Sequence, residues 1–156
     1  MQKVEDTKHS LTHEKSSPKM QELKNDTNDS IQADKNAQDI KELIEGSDIY
    51  FGFAKDNLSQ ESMKKLRKKA AILRNNDMHL QIEGHCDERG SVVYNLALGK
   101  RRAAEALDYL IIMGVNKSRL SIISYGKGRP LNPGHNEKAW AMNRRDHFVI
   151  VTKQTY

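Results

Sequence analysis

The sequence predicts an α+β domain (an α/β sandwich) with the element order β-α-β-α-β-α-β, in which helices pack on one sheet of four strands. Four short runs of aromatic and β-branched residues predict the strands, and patterns with helical spacing separate them. A third observation is a change of composition at residue 47, before which large apolar side chains are almost absent. The order of the strands within the sheet does not follow from the sequence.

Residues 1–47 are predicted to form a flexible polar tether, and residues 48–156 to form the folded domain. The tether is rich in Lys, Asn, Asp, Ser and Gln, so it cannot bury enough apolar surface to offset the entropy of ordering. A short helix around "AQDIKELIEG", ended by Gly46, is compatible with its sequence. The tether carries a net charge of −3 and the domain +8, which favours an anionic partner for the domain.

The first half of the domain contains two predicted strands with a helix between them. "IYFGF" (49–53) and "HLQIEG" (79–84) have the composition of strands. Ser59 is placed to cap the helix. The apolar stripe of this helix is formed by Met63, Leu66, Ala70 and Leu73. Its basic residues are predicted to lie mostly on the opposite, solvated face: Lys64, Lys65, Arg67, Lys68 and Lys69.

The second half of the domain contains the other two strands and two helices. Ser91 can cap a long helix that Gly114 ends. The predicted buried stripe of this helix is Leu96, Ala103, Leu107 and Leu110. "RLSIISYG" (119–126) and "HFVIVT" (147–152) are the remaining strands, and Asn136 can cap a short helix that carries Trp140.

The stretch "GHCDERGSVVYNLALGKRRA" (84–103) concentrates chemically active residues where a strand turns into a helix. A zinc site needs three or four ligands, whereas His85, Cys86 and Asp87 are chain neighbours that point different ways and have no matching second motif. A Cys–His catalytic pair usually comes from separate segments, so Cys86 is better interpreted as a small, partly buried residue. We therefore expect no metal ion, cofactor or catalytic residue here.

A pocket for a charged ligand is the third interpretation of this stretch. Asn95, Leu98 and Arg102 recur at helical spacing and share one face, and Asp87 stands at the entrance of the helix. A carboxylate accepts hydrogen bonds from an ammonium group, and a guanidinium group binds a carboxylate through two N–H groups, so the pair suits a zwitterion. On chemistry alone, an ion pair between Asp87 and an arginine across the turn explains these residues equally well.

Four separate motifs occur in the order typical of one family. "IYFGF", the stretch at 84–103, "ISYGKGRP" and "NRRDHFVIV" resemble the OmpA-like peptidoglycan-binding domains over about residues 48–152. The resemblance implies a mixed sheet with helices packed on it, and a binding module that is not an enzyme. The ligand that it implies is the diaminopimelate of a peptidoglycan stem peptide, which is a zwitterion.

The resemblance also implies a role for six residues. Asp87 is expected to contact the amino group of the ligand and Arg102 its carboxylate. Asn95, Leu98 and Ala103 are expected to line the pocket from the helix, and Phe53 to border it from the first loop. The family usually has an aspartate directly after the "FGF" run, where this chain has Ala54, and Asp56 could substitute for that missing carboxylate.

Within the family, the "DERG" turn and the "SYGKGRP" segment favour the peptidoglycan-associated lipoproteins of the Tol-Pal system. This implies a protein partner, TolB, with TolA as a further candidate, and a position at the periplasmic face of the outer membrane of a Gram-negative cell. We expect an N-terminal lipid anchor that this sequence does not include. The alternatives are an OmpA-like domain of a porin or motor protein, and, from another class, a basic nucleic-acid-binding domain. No nucleic-acid-binding signature supports the last alternative.

Overall fold

The computed structural model describes residues 35–152, and its elements follow the predicted order. A helix over residues 35–45 (α1) precedes the first strand. The elements that follow are β1 (Ile49–Tyr50), α2 (Gln60–Arg74), β2 (His79–His85), α3 (Val92–Ile112), a 3₁₀ turn (Lys117–Arg119), β3 (Leu120–Gly126), α4 (Glu137–Asn143) and β4 (Arg145–Val151). The predicted α+β class is therefore confirmed. None of the helices in the described range is long and apolar enough to cross a membrane.

The four strands form one mixed sheet in the order β1-β4-β2-β3. β2 and β3 are parallel, whereas β4 runs antiparallel to both β1 and β2. Ile82 of β2 is thereby paired with Ile122 on one side and Phe148 on the other. A parallel pair needs a long crossover, and α3 provides it between β2 and β3. The resemblance implied this mixed sheet.

The core lies between one face of the sheet and the helices. Leu80, Ile82 and Phe148 are fully buried, and because side chains alternate along a strand, they point from β2 and β4 towards the same side. The buried cluster that they join consists of Ile44, Ile49, Phe51, Leu66, Ala70, Leu73, Leu80, Ile82, Ala103, Ala106, Leu110, Val115 and Phe148.

The three predicted helix caps are present. The side chain of Ser59 accepts a hydrogen bond from the backbone N–H of Ser62, and that of Ser91 accepts one from Tyr94. Asn136 caps α4 in the same way. Each cap pairs a backbone N–H that would otherwise lack a partner in the first turn, which explains why these helices begin where they do.

Three local predictions are wrong in ways that matter for the site. β1 contains only the first two residues of "IYFGF", because residues 51–53 leave the sheet to form a loop. Leu96 is 42% exposed instead of buried, because the adjacent Asn95 takes the interior position. Lys69 was predicted on a solvated face and is 2% exposed.

The predicted tether lies mostly outside the described residues, since residues 1–34 are not among them. Its last part contains α1, which ends at Gly46 as its sequence allows. Ile44 is fully buried in the core, and the Glu45 carboxylate accepts a hydrogen bond from the Ile150 N–H at 2.9 Å. The compact unit that includes the domain begins at Ala37, ahead of the predicted boundary at residue 48.

Candidate functional site

An open cavity of about 270 Å³ lies where the loop after β1, the turn after β2 and the start of α3 meet. Its walls combine ionic groups with apolar surface. The lining residues are Phe53, Ala54, Cys86, Asp87, Arg89, Gly90, Tyr94, Asn95, Leu98 and Arg102.

Five of the six residues predicted for the site line this cavity, namely Phe53, Asp87, Asn95, Leu98 and Arg102. The sixth, Ala103, does not. It follows Arg102 by about 100° around the helix and is fully buried in the hydrophobic core. The site therefore draws on one narrow strip of α3.

Two glycines allow α3 to approach the sheet closely enough to form this wall. A Cβ atom on Gly84 would lie 1.8 Å from the carbonyl oxygen of Gly99, and one on Gly99 would lie 2.3 Å from the Ser124 hydroxyl. Both contacts are too close for any side chain. The backbone contact between β2 and α3 therefore brings Asn95 and Arg102 of the helix to the carboxyl end of β2.

Arg102 is a buried cation on α3 that binds the backbone of two other segments, the loop after β1 and the end of β2. It is 1% exposed, and its guanidinium donates to the carbonyl oxygens of Lys55 at 2.8 Å, His85 at 3.0 Å and Gly52 at 3.1 Å. A guanidinium has five N–H groups, so two remain for other acceptors. Burial lowers the pKa of Arg102 from its ordinary value, but an arginine stays charged in proteins. Arg102 thus builds the pocket wall as well as lining it.

Asp87 forms the ion pair across the turn that the sequence left open as an alternative. Its carboxylate accepts two hydrogen bonds from the Arg89 guanidinium, at 2.9 and 3.2 Å, and one from the Arg89 backbone N–H at 3.0 Å. Nη1 of Arg144 also lies 3.6 Å from Oδ2 of Asp87. Burial alone would raise the pKa of Asp87, but the hydrogen bonds and charge of Arg89 outweigh it and lower that pKa. The Asp87 carboxylate is therefore ionised, and Arg89 already uses some of its acceptor positions.

Arg89 packs against two aromatic rings at the mouth of the cavity. Its guanidinium carbon lies 4.0 Å from the centre of the Phe53 ring and 4.1 Å from that of Trp140. Both distances are typical of a cation–π contact. Sequence reasoning assigned no role to Arg89, Tyr94 or Trp140, although Arg89 stands in the motif that carried the resemblance. The spacing of α4 from the turn gave no sign that Trp140 would reach it.

Asn95 and Cys86 support the turn from inside. The Asn95 amide donates to the carbonyl oxygens of Arg89 and Ser91, both at 2.9 Å, and is 2% exposed. The Cys86 thiol lies 3.2 Å from the Asn95 carbonyl oxygen, and burial raises the pKa of that thiol. A buried thiol with a raised pKa is a poor nucleophile and a poor metal ligand. These two residues hold the turn in place, as the small-residue interpretation of Cys86 predicts.

A comparison with known protein families decides the family. The sequence model of the OmpA family matches residues 50–144, which contain every residue that lines the cavity. The chain belongs to the OmpA family.

Relatives of this OmpA-family chain carry a common name. A peptidoglycan-associated lipoprotein of Pseudomonas aeruginosa is 43% identical over 97 residues, which is 62% of this chain and 58% of the relative. One from Mesorhizobium japonicum is 42% identical over 110 residues, covering 70% of this chain and 65% of the relative. The chain thus spans somewhat less than two thirds of these relatives.

Solved structures agree with the fold of the OmpA-family domain. The peptidoglycan-associated lipoprotein of Burkholderia pseudomallei superposes with a TM-score of 0.66 at 35% identity, over 67% of this chain and 89% of that one. The C-terminal domain of Helicobacter pylori MotB superposes with a TM-score of 0.64 at 25% identity, over 69% of this chain and 85% of that one. The same architecture therefore occurs in proteins with different names.

The loop after β1 has Ala54 at the position where the resemblance led us to expect an aspartate. Ala54 lines the cavity with φ of 56°, a left-handed conformation that is unfavourable for alanine. Asp56, the expected substitute for an aspartate there, is not among the lining residues. Its carboxylate is instead 3.2 Å from the exposed Arg101 guanidinium. The pocket thus contains one carboxylate, that of Asp87.

Among residues 35–152, no group of three or more His, Cys, Asp or Glu side chains could hold a metal ion. His85 turns its ring away from Asp87, placing Nε2 at 3.4 Å from the Glu83 carboxylate. Burial lowers the pKa of His85 to about 4. The neighbours that suggested a metal site in the sequence therefore face different surroundings.

Proposed function

We propose that this domain binds peptidoglycan without covalent chemistry, through the zwitterionic end of diaminopimelate in the stem peptide. The observation that carries the proposal is a single cavity lined by one buried carboxylate, Asp87, and one buried guanidinium, Arg102. The names of the relatives support it, since they describe lipoproteins associated with peptidoglycan. No group in the cavity is arranged as a nucleophile with a general base, so we propose a binding module and not an enzyme.

The ligand's ammonium group would approach Asp87, which is ionised and lies at the entrance of α3. The three N–H groups of an ammonium would share the carboxylate with Arg89, because a carboxylate has about four acceptor positions. The ligand's carboxylate would face Arg102, whose two remaining N–H groups are available beyond its three backbone acceptors. Low exposure strengthens both interactions, since water competes less in a partly closed cavity.

The apolar part of the cavity suits the hydrocarbon chain of diaminopimelate. Leu98 and Tyr94 line the cavity from α3, and Phe53 lines it from the loop after β1. Phe53 is 59% exposed and Tyr94 is 46% exposed. Covering these rings with the methylene groups of a ligand contributes about 25 cal/mol for each Å² removed from water.

The proposal is tested by titrating the domain with a stem peptide that contains diaminopimelate, using calorimetry. Asp87→Asn removes the charge with little change of shape, and we expect a loss of about 2–3 kcal/mol, or roughly 30- to 150-fold in affinity. Asp56→Asn is the matched control, because Asp56 is paired with Arg101 outside the cavity. It should change the affinity less than about threefold.

A second peptide tests the carboxylate end of the ligand. Lysine in place of diaminopimelate keeps the ammonium group and lacks the neighbouring carboxylate, so it should bind at least about tenfold more weakly. Arg102→Lys should narrow that difference, because an ammonium cannot form the two-point contact of a guanidinium. Equal binding of both peptides, or an Asp87→Asn variant that binds like the wild type, would contradict the proposal.

We further propose that the domain acts at the periplasmic face of the outer membrane, as part of a lipid-anchored protein of the Tol-Pal type. TolB would then be its protein partner, with TolA as a further candidate. The likeness to peptidoglycan-associated lipoproteins supports this. The likeness to a motor-protein domain keeps the alternative open, and titration with purified TolB distinguishes the two. A motor-protein domain would show no saturable binding.

A further inference from the structure

We propose that Arg89 forms a second carboxylate site beside the pocket, so that the domain prefers stem peptides with a second free carboxylate close to diaminopimelate. The inference rests on the proposed function and names the chemistry of the ligand more narrowly. It concerns the rim of the cavity, where sequence reasoning assigned no residue.

The first argument is that the Arg89 guanidinium is fixed in orientation. Phe53 and Trp140 both pack against it, with the guanidinium carbon 4.0 and 4.1 Å from the two ring centres. Asp87 holds one edge through Nε and Nη2. A side chain held by two aromatic contacts and one two-point ion pair has little conformational entropy left to lose when it binds a ligand.

The second argument is that one nitrogen of this group has no partner. Nη1 of Arg89 donates to no acceptor among residues 35–152. Besides Asp87, the carboxylates of Glu88 and Glu137 are near enough to raise the pKa of Arg89. Glu88 is taken by the Trp140 indole at 3.1 Å and the His135 ring at 2.7 Å. Glu137 is taken by Arg144 at 2.9 Å. Neither Glu88 nor Glu137 therefore accepts a hydrogen bond from Nη1 of Arg89.

The third argument is the balance of charge. The cavity is lined by one carboxylate, that of Asp87, and two guanidinium groups, those of Arg89 and Arg102, which leaves an excess of one positive charge. Its thiol is neutral because burial raises the pKa of Cys86. A zwitterion brings no net charge and leaves this excess uncompensated. A ligand with two carboxylates and one ammonium group matches it better.

Stem peptides offer such a carboxylate at two places. One is the α-carboxylate of the γ-linked D-glutamate that precedes diaminopimelate, which is free or amidated depending on the cell wall. The other is the carboxylate at the carboxyl end of the peptide. Both present the same chemistry to Arg89, and selective amidation distinguishes them.

The experiment compares three forms of the tripeptide L-Ala-γ-D-Glu-meso-diaminopimelate by calorimetry. One form has all carboxylates free, one is amidated at the glutamate, and one is amidated at the carboxyl end. With wild-type protein we expect one of the two amidations to weaken binding by about 3- to 10-fold, as befits a charged contact at a partly exposed rim. The emission of Trp140, the single tryptophan, should respond differently to the free and amidated forms.

The decisive quantity is the ratio of affinities for free and amidated peptide in Arg89→Gln. This substitution also frees Asp87, but that effect acts on every peptide alike and cancels in the ratio. We expect the ratio to fall to within about 1.5-fold of unity. Lys127→Ala is the matched control, because Lys127 is another cation at the rim that donates to the Gly90 carbonyl. Its ratio should equal that of the wild type.

Results of either variant could overturn the inference and leave the proposed function intact. One such result is a ratio unchanged by Arg89→Gln, and the other is a ratio that collapses in Lys127→Ala instead. Amidation without effect on the wild type would also overturn it. Failure of all three peptides to bind the wild type would overturn the proposed function itself, which distinguishes the two failures.

Discussion

Two regions of this domain each bury a cation, and they treat it differently. At the pocket, Arg102 is 1% exposed and donates to three backbone carbonyl groups, two from the loop after β1 and one from the end of β2. Beneath α1, Lys69 is 2% exposed and donates to one carbonyl, that of Ile44, with its ammonium 4.5 Å from the centre of the Phe148 ring. The burial is equal, but the number of partners is not.

The difference shows what makes a buried charge tolerable. A guanidinium spreads its charge over a plane and directs five N–H groups outward, so three carbonyls can replace much of its lost water. An ammonium is a compact, strongly hydrated charge, and one carbonyl replaces little of that water. Burial accordingly lowers the pKa of Lys69 to about 8, whereas Arg102 stays charged at any physiological pH. The pocket is held by a permanent charge and the α1 junction by a titratable one.

The largest effect should come from replacing each cation by methionine. Arg102→Met removes one donor from each of three backbone carbonyls, of which Gly52 still accepts from the Lys55 N–H at 3.1 Å. We expect a loss of about 3–5 kcal/mol of unfolding free energy. Lys69→Met removes a poorly compensated charge and leaves one carbonyl, so we expect a change within about 1 kcal/mol or a gain. Urea denaturation of both variants measures this, and equal losses would contradict the comparison.

A pH titration should sharpen the same contrast. Lys69 has a pKa of about 8 when folded and about 10.5 when unfolded, so the unfolded chain binds more protons between these values. Stability should therefore rise by about 3 kcal/mol as the pH increases from 8 to 10.5. The measurement is the unfolding free energy of wild type minus that of Lys69→Met at each pH. A flat difference would show that folding does not lower the pKa of Lys69, and would contradict the comparison.

The smallest effect should come from relieving strain beside Arg102. Ala54 has φ of 56°, and Arg102 binds the carbonyl groups on either side of it, at Gly52 and Lys55. Ala54→Gly should raise stability by about 1 kcal/mol, because glycine adopts this conformation without a steric penalty. Ala97→Gly, at an exposed position within α3, should lower it by about 1 kcal/mol. We expect the midpoint of thermal unfolding to rise in Ala54→Gly and to fall in Ala97→Gly. A fall in both variants would contradict backbone strain at Ala54.

Much of the fold could be predicted because its signals are local. The capping residues Ser59, Ser91 and Asn136 lie within three residues of the N–H groups that they accept from. Strand composition and helical spacing act over similarly short distances, so the element order follows from them. Five of the six predicted site residues line one cavity. The sequence pointed to them because they lie in two motifs that are typical of the family. The roles assigned to them stay predictions.

The errors occur where a polar residue takes an interior position. The apolar periodicity predicted Leu96 on the buried face of α3 and did not indicate that Asn95 and Arg102 are buried. Their burial is favourable only because backbone carbonyls accept from their N–H groups, four and six positions away for Asn95 and 17 to 50 positions away for Arg102. The same holds for Lys69, whose acceptor Ile44 lies in a segment that composition assigned to a tether.

By itself, the sequence determined the helices, the strands, their caps and the motif at residues 84–103, because each depends on residues close together in the chain. Only the tertiary structure decided the strand order β1-β4-β2-β3 and the side of α3 that faces inward. It also decided that Trp140 covers Arg89 across 51 positions of the chain. These arrangements depend on which distant donors and acceptors satisfy one another, and a buried polar group is stable only when such a partner exists.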